Sequence, residues 1–166
     1  VTPFSAAAFV EAIKREMEVA VALNIQHIVL NSGAKSEKYI KQLYPDLPQQ
    51  AFIHFGNYIG DSLRIADELD VKNVTLGIML GKAVKLAAGN LDTHSKKVTL
   101  DKNFLLGLAM ASGCSSEVRE KIEELVLARS LWDILTGEEK NRFFHLLLEK
   151  AYSVCRKAYP RYSLTL

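Results

Sequence analysis

Cysteine is scarce in this chain: Cys114 and Cys155 are the only two in 166 residues, far apart and without histidines at zinc spacing. That excludes a disulfide framework and a cysteine-rich zinc site, and reads as buried or free thiols of a reducing compartment, the cytoplasm. No apolar run approaches the ~20 residues of a membrane span. Neither sign of charge dominates, since 21 Lys and Arg face 19 Asp and Glu for a net +2. Without a basic cluster interleaved with aromatics, a nucleic-acid partner is not expected. There is no internal repeat and no low-complexity tract. The opening Val1-Thr-Pro-Phe-Ser5 is neither a methionine start nor a signal peptide and fits a piece of something longer. No Ser-His-Asp order, metal cluster or paired-carboxylate motif stands out, so no metal is expected. His27, His54 and His145 read as packing or strand residues.

What is present is an ordinary globular composition, 49% hydrophobic and 24% charged. As one domain of 166 residues it is expected to bury roughly 70% of its unfolded surface. Ser5 to about Leu23 reads as a helix capped by Ser5, with Phe9, Ile13, Met17 and Val21 inward. Short apolar strands follow near residues 26–31, 51–56 and 73–80, separated by helices over about 36–43 and 58–69. The second of these helices turns Ile59, Leu63, Ala66 and Leu69 inward. Strand–helix alternation of this kind predicts βαβ units. The fold class is therefore α/β, a three-layer domain with a short, mostly parallel sheet and a helical C-terminal third.

In that last third, Asp101 caps a helix closing at Gly113. Ser115 or Ser116 caps the next, with Val118, Ile122, Leu125 and Val126 inward. Thr136-x-x-Glu139 fits a capping box. It opens a long final helix with Phe144, Leu147, Leu148, Ala151 and Cys155 on its apolar side. Pro160 ends that helix, and Tyr162 to Leu166 suits an edge strand.

The chemistry concentrates at three strand-to-helix turns: Asn31-Ser-Gly33-Ala-Lys35-Ser36, Phe55-Gly56-Asn57-Tyr58-Ile-Gly60-Asp61, and Leu80-Gly81-Lys82. In a parallel sheet all three belong at the carboxyl edge, where open α/β folds bind ligands. Lys82 at a helix start opposes the macrodipole unless an anion sits there. A solvated helix face is the plainer reading of Lys82 and Lys85, as a surface histidine is of His94 in the polar segment 90–99. Nucleotide motifs do not match. Gly77-x-x-x-Gly81-Lys82-Ala83 is one residue short of a P-loop and lacks its Ser/Thr, and no G-x-G-x-x-G follows the first strand.

The same residues resemble a known family. Ser32-Gly33-Ala34-Lys35-Ser36-Glu37, Leu43-Tyr-Pro-Asp-Leu-Pro48 and Phe55-Gly56-Asn57-Tyr58-Ile59-Gly60 occur in the order and spacing of the CbiD family. So do Gly77-x-Met79-x-Gly81-Lys82-x-x-Lys85-Leu-Ala-x-Gly89 and Thr93-His94. These are the cobalt-precorrin-5B C1-methyltransferases of anaerobic cobalamin biosynthesis. The resemblance is to the later, larger part of such an enzyme; the family's alanine-rich N-terminal domain has no counterpart here. Two departures stand out. Ala34-Lys35 replaces a usual Gly-Arg, losing a bidentate donor. Asn57 replaces a usual Asp, so a carboxylate role there would fall to Asp61.

The resemblance implies transfer of a methyl group from S-adenosylmethionine to C1 of the corrin ring, giving cobalt-precorrin-6A, with cobalt present only as part of the substrate. Lys35, Lys82, Lys85, Thr93 and His94 become candidates for the carboxylate-rich tetrapyrrole. Gly33, Glu37, Gly56, Asn57, Asp61 and Gly81 become candidates for the cofactor. No catalytic residue is assigned, which suits a reaction driven by alignment. The missing N-terminal domain is the expected partner, and a homo-oligomer is compatible with the sequence. A non-catalytic corrinoid- or partner-binding domain is the alternative.

Overall fold

A computed structural model describes residues 5–93 and 100–166. Four strands, β1 (His27–Asn31), β2 (Phe52–His54), β3 (Asn73–Gly77) and β4 (Ser163–Thr165), form an all-parallel sheet in the order β2-β1-β3-β4. Val29 pairs with Phe52 on one side of β1 and with Thr75 on the other, and Val74 pairs with Leu164. Ile28, Val29, Leu30, Ile53, Val74 and Leu76 are buried. Strands covered on both faces read as continuous apolar runs for this reason.

Three helices complete the layers: α1 (Ala6–Ala22), α2 (Ala34–Leu43) and α3 (Ile59–Glu68). The step from β1 to β2 crosses the sheet one way, and the step from β2 to β3 returns past β1. Right-handed crossovers therefore place α2 and α3 on opposite faces. Accordingly α2 rests on β1 and β3, whereas α1 lies against α3 and β2. The direction of winding reverses between β1 and β3, so the carboxyl ends of those strands form the switch point where doubly wound sheets take their ligands.

The chain divides into two compact units: a sheet unit, up to Met79 together with Cys155–Leu166, and a helical unit, Leu80–Val154. The helical unit is thus inserted in the connection from β3 to β4. It comprises α4 (Leu80–Ala87), α5 (Lys102–Ala111), α6 (Ser116–Glu123), the single turn α7 (Leu131–Ile134) and most of α8 (Gly137–Ala158). Leu105, Leu108, Ile122, Leu131, Phe143 and Leu147 form its buried interior. Asp101 accepts from the Phe104 N–H at 2.9 Å and Ser115 from the Val118 N–H at 3.4 Å, so both expected caps are made.

In the sheet unit, β4 is held by its flanks. Tyr162 donates its hydroxyl to the Leu63 carbonyl at 3.3 Å. Arg161 forks onto the Asp67 carboxylate at 2.7 and 2.5 Å. Arg156 donates to the Tyr162 carbonyl at 2.6 Å.

Several expectations need correcting. On α1 the buried side chains are Ile13, Met17 and Ala20, while Val21 is 38% exposed. Val126 lies past the end of α6 and is 83% exposed. On α8 the buried stripe runs Phe143, Leu147, Ala151, Cys155; the expected Leu148 faces outward and Phe144 stacks on Trp132 at 5.6 Å. The capping box at Thr136 is not closed, because Glu139 instead accepts from the Ser115 N–H at 2.6 Å. A carboxylate at that position reaches the donor of a neighbouring turn more readily than that of its own cap.

Candidate functional site

The turn after β1 sits at the switch point and is braced from within. Asn31, fully buried, donates through Nδ2 to the Ile53 carbonyl at 3.3 Å and accepts through Oδ1 from the Gly33 N–H at 3.2 Å. Ser36 Oγ accepts from the Ser32 N–H and donates to the Gly33 carbonyl, both at 2.9 Å. Gly33 itself lies at φ 142°, ψ −177°, a conformation essentially reserved for glycine. It precedes α2 without a side-chain cap. Another glycine of the motif lies close to α2: a Cβ on Gly77 would come within 2.5 Å of Ile40 Cδ1, so the end of that side chain would have to shift.

Gly56 follows β2 at φ 58° with the Phe9 ring against it. Asn57 and Tyr58 carry the chain into α3, where Asp61 is committed to Arg64 at 3.2 Å. The third turn differs from the expectation. Strand β3 stops at Gly77 and α4 begins at Leu80, so Gly81 is the second residue of a helix, with ordinary backbone angles, and a Cβ there would meet nothing within 4 Å. Lys82 falls in the first turn of α4, but Lys85 falls in the last, where the macrodipole suits it.

Within the helical unit the structure brings Lys82, Lys85 and Thr93 together. Lys85 Nζ donates to the carbonyl of Thr93, a buried residue, at 3.4 Å. Lys82 is half-buried, has no ion-pair or hydrogen-bond partner among the described residues, and its ammonium is pushed below the usual lysine range by burial and by Lys85. His94 lies outside the described residues. In the sheet unit Lys35 is exposed on the first turn of α2.

A second constellation was not legible in the sequence. Glu37, in the first turn of α2, is met by His54 Nε2 at the end of β2 and by Lys41. Gln49 donates at 3.4 Å to the same oxygen that Lys41 meets, Oε1, while itself accepting from Lys41 at 2.6 Å. These contacts, Lys41 foremost, hold the Glu37 carboxyl down at about 2. His54 is a strand residue, as expected, but an exposed one. It borders a pocket of about 440 Å³ at the outer edge of β2, whose walls include Arg15, Glu16, Glu37 and Phe52. Across that pocket burial pushes the Glu16 carboxyl up, opposed by His54. The separation of 17 between Glu37 and His54 carries no spacing signal, and strand pairing is what joins them. No group of three or more His, Cys, Asp or Glu suited to a metal occurs among the described residues.

The family model described as "CbiD, C-terminal domain" matches residues 92–166. The cobalt-precorrin-5B C(1)-methyltransferase of Prosthecochloris aestuarii is 39% identical over 161 residues, 96% of this chain and 44% of that protein. Those of Priestia megaterium (38%, covering 90% of this chain and 41% of the relative) and Thermus thermophilus (33%, 91% and 41%) are similar over nearly the same span. The chain thus spans less than half the length of these relatives, rather than the larger part. No solved structure matches it. With a matching C-terminal domain model and curated relatives along almost its whole length, the chain belongs to the CbiD family.

Proposed function

We propose that this chain forms the later part of an S-adenosylmethionine-dependent methyltransferase acting at C1 of cobalt-precorrin-5B in anaerobic cobalamin biosynthesis, giving cobalt-precorrin-6A. The relatives' names motivate the reaction. Lys82 is the observation that carries the geometric part: a half-buried cation in a helix first turn, beside Lys85 and without an anion of its own among the described residues. A substrate rich in acetate and propionate groups supplies that anion, and Lys35, Thr93 and His94 extend the same role. Gly33, Gly56, Asn57, Gly81 and the carboxylates Glu37 and Asp61 are the residues proposed to meet the cofactor. The protein works in the cytoplasm, where its two unpaired, buried cysteines stay reduced.

Methyl transfer from a sulfonium asks chiefly for alignment of nucleophile, methyl and leaving sulfur. In this reading the chain's own residues bind and orient, and no acid–base residue is required.

Replacing Lys82 with Met in the complete enzyme separates the two roles. Stability is expected to hold or to rise by about 0.3–1 kcal/mol, because an unfavourable dipole contact disappears. Corrinoid affinity is expected to fall by about 1.5–3 kcal/mol with the charge-assisted bond. Melting temperature and a corrinoid titration measure both; unchanged binding refutes the anchor. Since the chain spans only 44% of its relative, a corrinoid- or partner-binding role without catalysis is the second reading. Titration with a cobalt corrinoid and separately with S-adenosylhomocysteine tells them apart, because only the methyltransferase reading needs the latter to bind in the complete enzyme.

A further inference from the structure

The pocket at the outer edge of β2 contains two neighbouring residues of α1 with opposite charges and different commitments. Arg15 is braced on the helix surface by Glu11 at 2.9 Å and Glu18 at 2.8 Å, through its two terminal nitrogens. A guanidinium has five N–H donors in a fixed fork, so this bracing orients the group and leaves donors for a planar anion. Glu16, the next residue, lines the pocket as an exposed side chain and has no hydrogen-bond or ion-pair partner among the described residues. Val19, Phe52 and Ile53 supply apolar wall, and the Gln49 and Gln50 amides supply polar wall. The remaining carboxylate, Glu37, is already engaged by Lys41, His54 and Gln49.

A free carboxylate beside an oriented guanidinium, over an apolar floor, matches a zwitterion carrying an apolar chain. We propose that this pocket binds the α-amino-acid group of a ligand, Glu16 receiving the ammonium and Arg15 the carboxylate. At about 440 Å³ the pocket falls in the size range of small-molecule sites. The identity of the ligand rests on the methyltransferase reading, under which it is the methionyl end of the S-adenosyl donor. The recognition itself rests only on the side chains.

The test is calorimetric titration of the protein with three probes: S-adenosylhomocysteine, free methionine and methylthioadenosine, which lacks the amino-acid group. Arg15→Met and Glu16→Gln are each expected to weaken S-adenosylhomocysteine about tenfold or more, and to change methylthioadenosine less than about twofold. Both substitutions lie on the outward side of α1, and unchanged melting curves will show that the variants fold. If S-adenosylhomocysteine binds with the same affinity in both variants, the pocket assignment is overturned while the donor reading survives. If methionine binds in an Arg15- and Glu16-dependent way but neither adenosyl compound binds, the assignment stands and the donor reading fails. Absence of any amino-acid-dependent binding overturns the assignment outright.

Discussion

Glu37 and Lys82 occupy matching places, each in the first turn of a helix, and their surroundings differ completely. On α2 the charge has the sign that the helix start favours, and it has collected Lys41, His54 and Gln49 around it. On α4 the charge has the sign the helix start disfavours, and among the described residues the charge it feels is another lysine, Lys85. The first is a finished structural device. The second is an unfavourable placement, which a bound anion would offset under the proposed function. The first turn of a helix thus holds a satisfied charge in one unit and an uncompensated one in the other.

The comparison is most easily broken through the glycines that lead into each helix. Gly33→Ala forces a Cβ onto a backbone at φ 142°, and is expected to destabilise the protein by about 1–3 kcal/mol, measured by urea denaturation. A neutral result would mean that the turn before α2 can relax and is not a built feature.

Glu37 sharpens the comparison through pH. Its folded-state pKa, about 2, lies below its ordinary value of 4.5. The stabilisation is therefore complete above about pH 5 and is lost as pH falls toward 2. Glu37→Gln is expected to cost about 1–2 kcal/mol at neutral pH after solvent screening, and nothing at the acid end. Parallel stability–pH curves for the two proteins would show that the cluster contributes no net stability.

The smallest effect belongs to Gly81. Its backbone is helical and open space surrounds it, so Gly81→Ala is expected to leave stability unchanged or raise it by about 0.5–1 kcal/mol. If ligand affinity falls while melting temperature does not, the glycine is kept for close approach of a ligand. If neither changes, it has no such role.

Much of the sheet unit was legible because its signals are local. Apolar runs bounded by Gly33 and Gly56 mark β1 and β2, Ser5 and Asp101 cap where a hydroxyl or carboxylate before an apolar period should, and Pro160 stops α8 ahead of β4. What escaped was set by neighbours distant in sequence. Glu139 turned from Thr136 to Ser115 because a better-placed N–H lay across the helical unit. His54 reads as an ordinary strand residue until β2 and α2 are placed side by side, and Glu16 looks like one more charge on α1 until the residues of β2 are seen to share a pocket with it. The start of α4 was displaced because β3 stops at Gly77 rather than running on to Leu80.

The insertion between β3 and β4 has a consequence for how the chain is made. β3 ends at Gly77, and its outer neighbour does not begin until Ser163. A nascent chain therefore exposes one whole edge of β3, with its unpaired N–H and C=O groups, until that distant segment has been synthesised. Open edges of apolar strands are templates for pairing with other chains. Loop closure over so long an intervening segment costs only slightly more than over a short one, so the delay is one of timing rather than of equilibrium. Three residues of β4, pinned by Tyr162 and Arg161, act as the seal that ends this period of vulnerability.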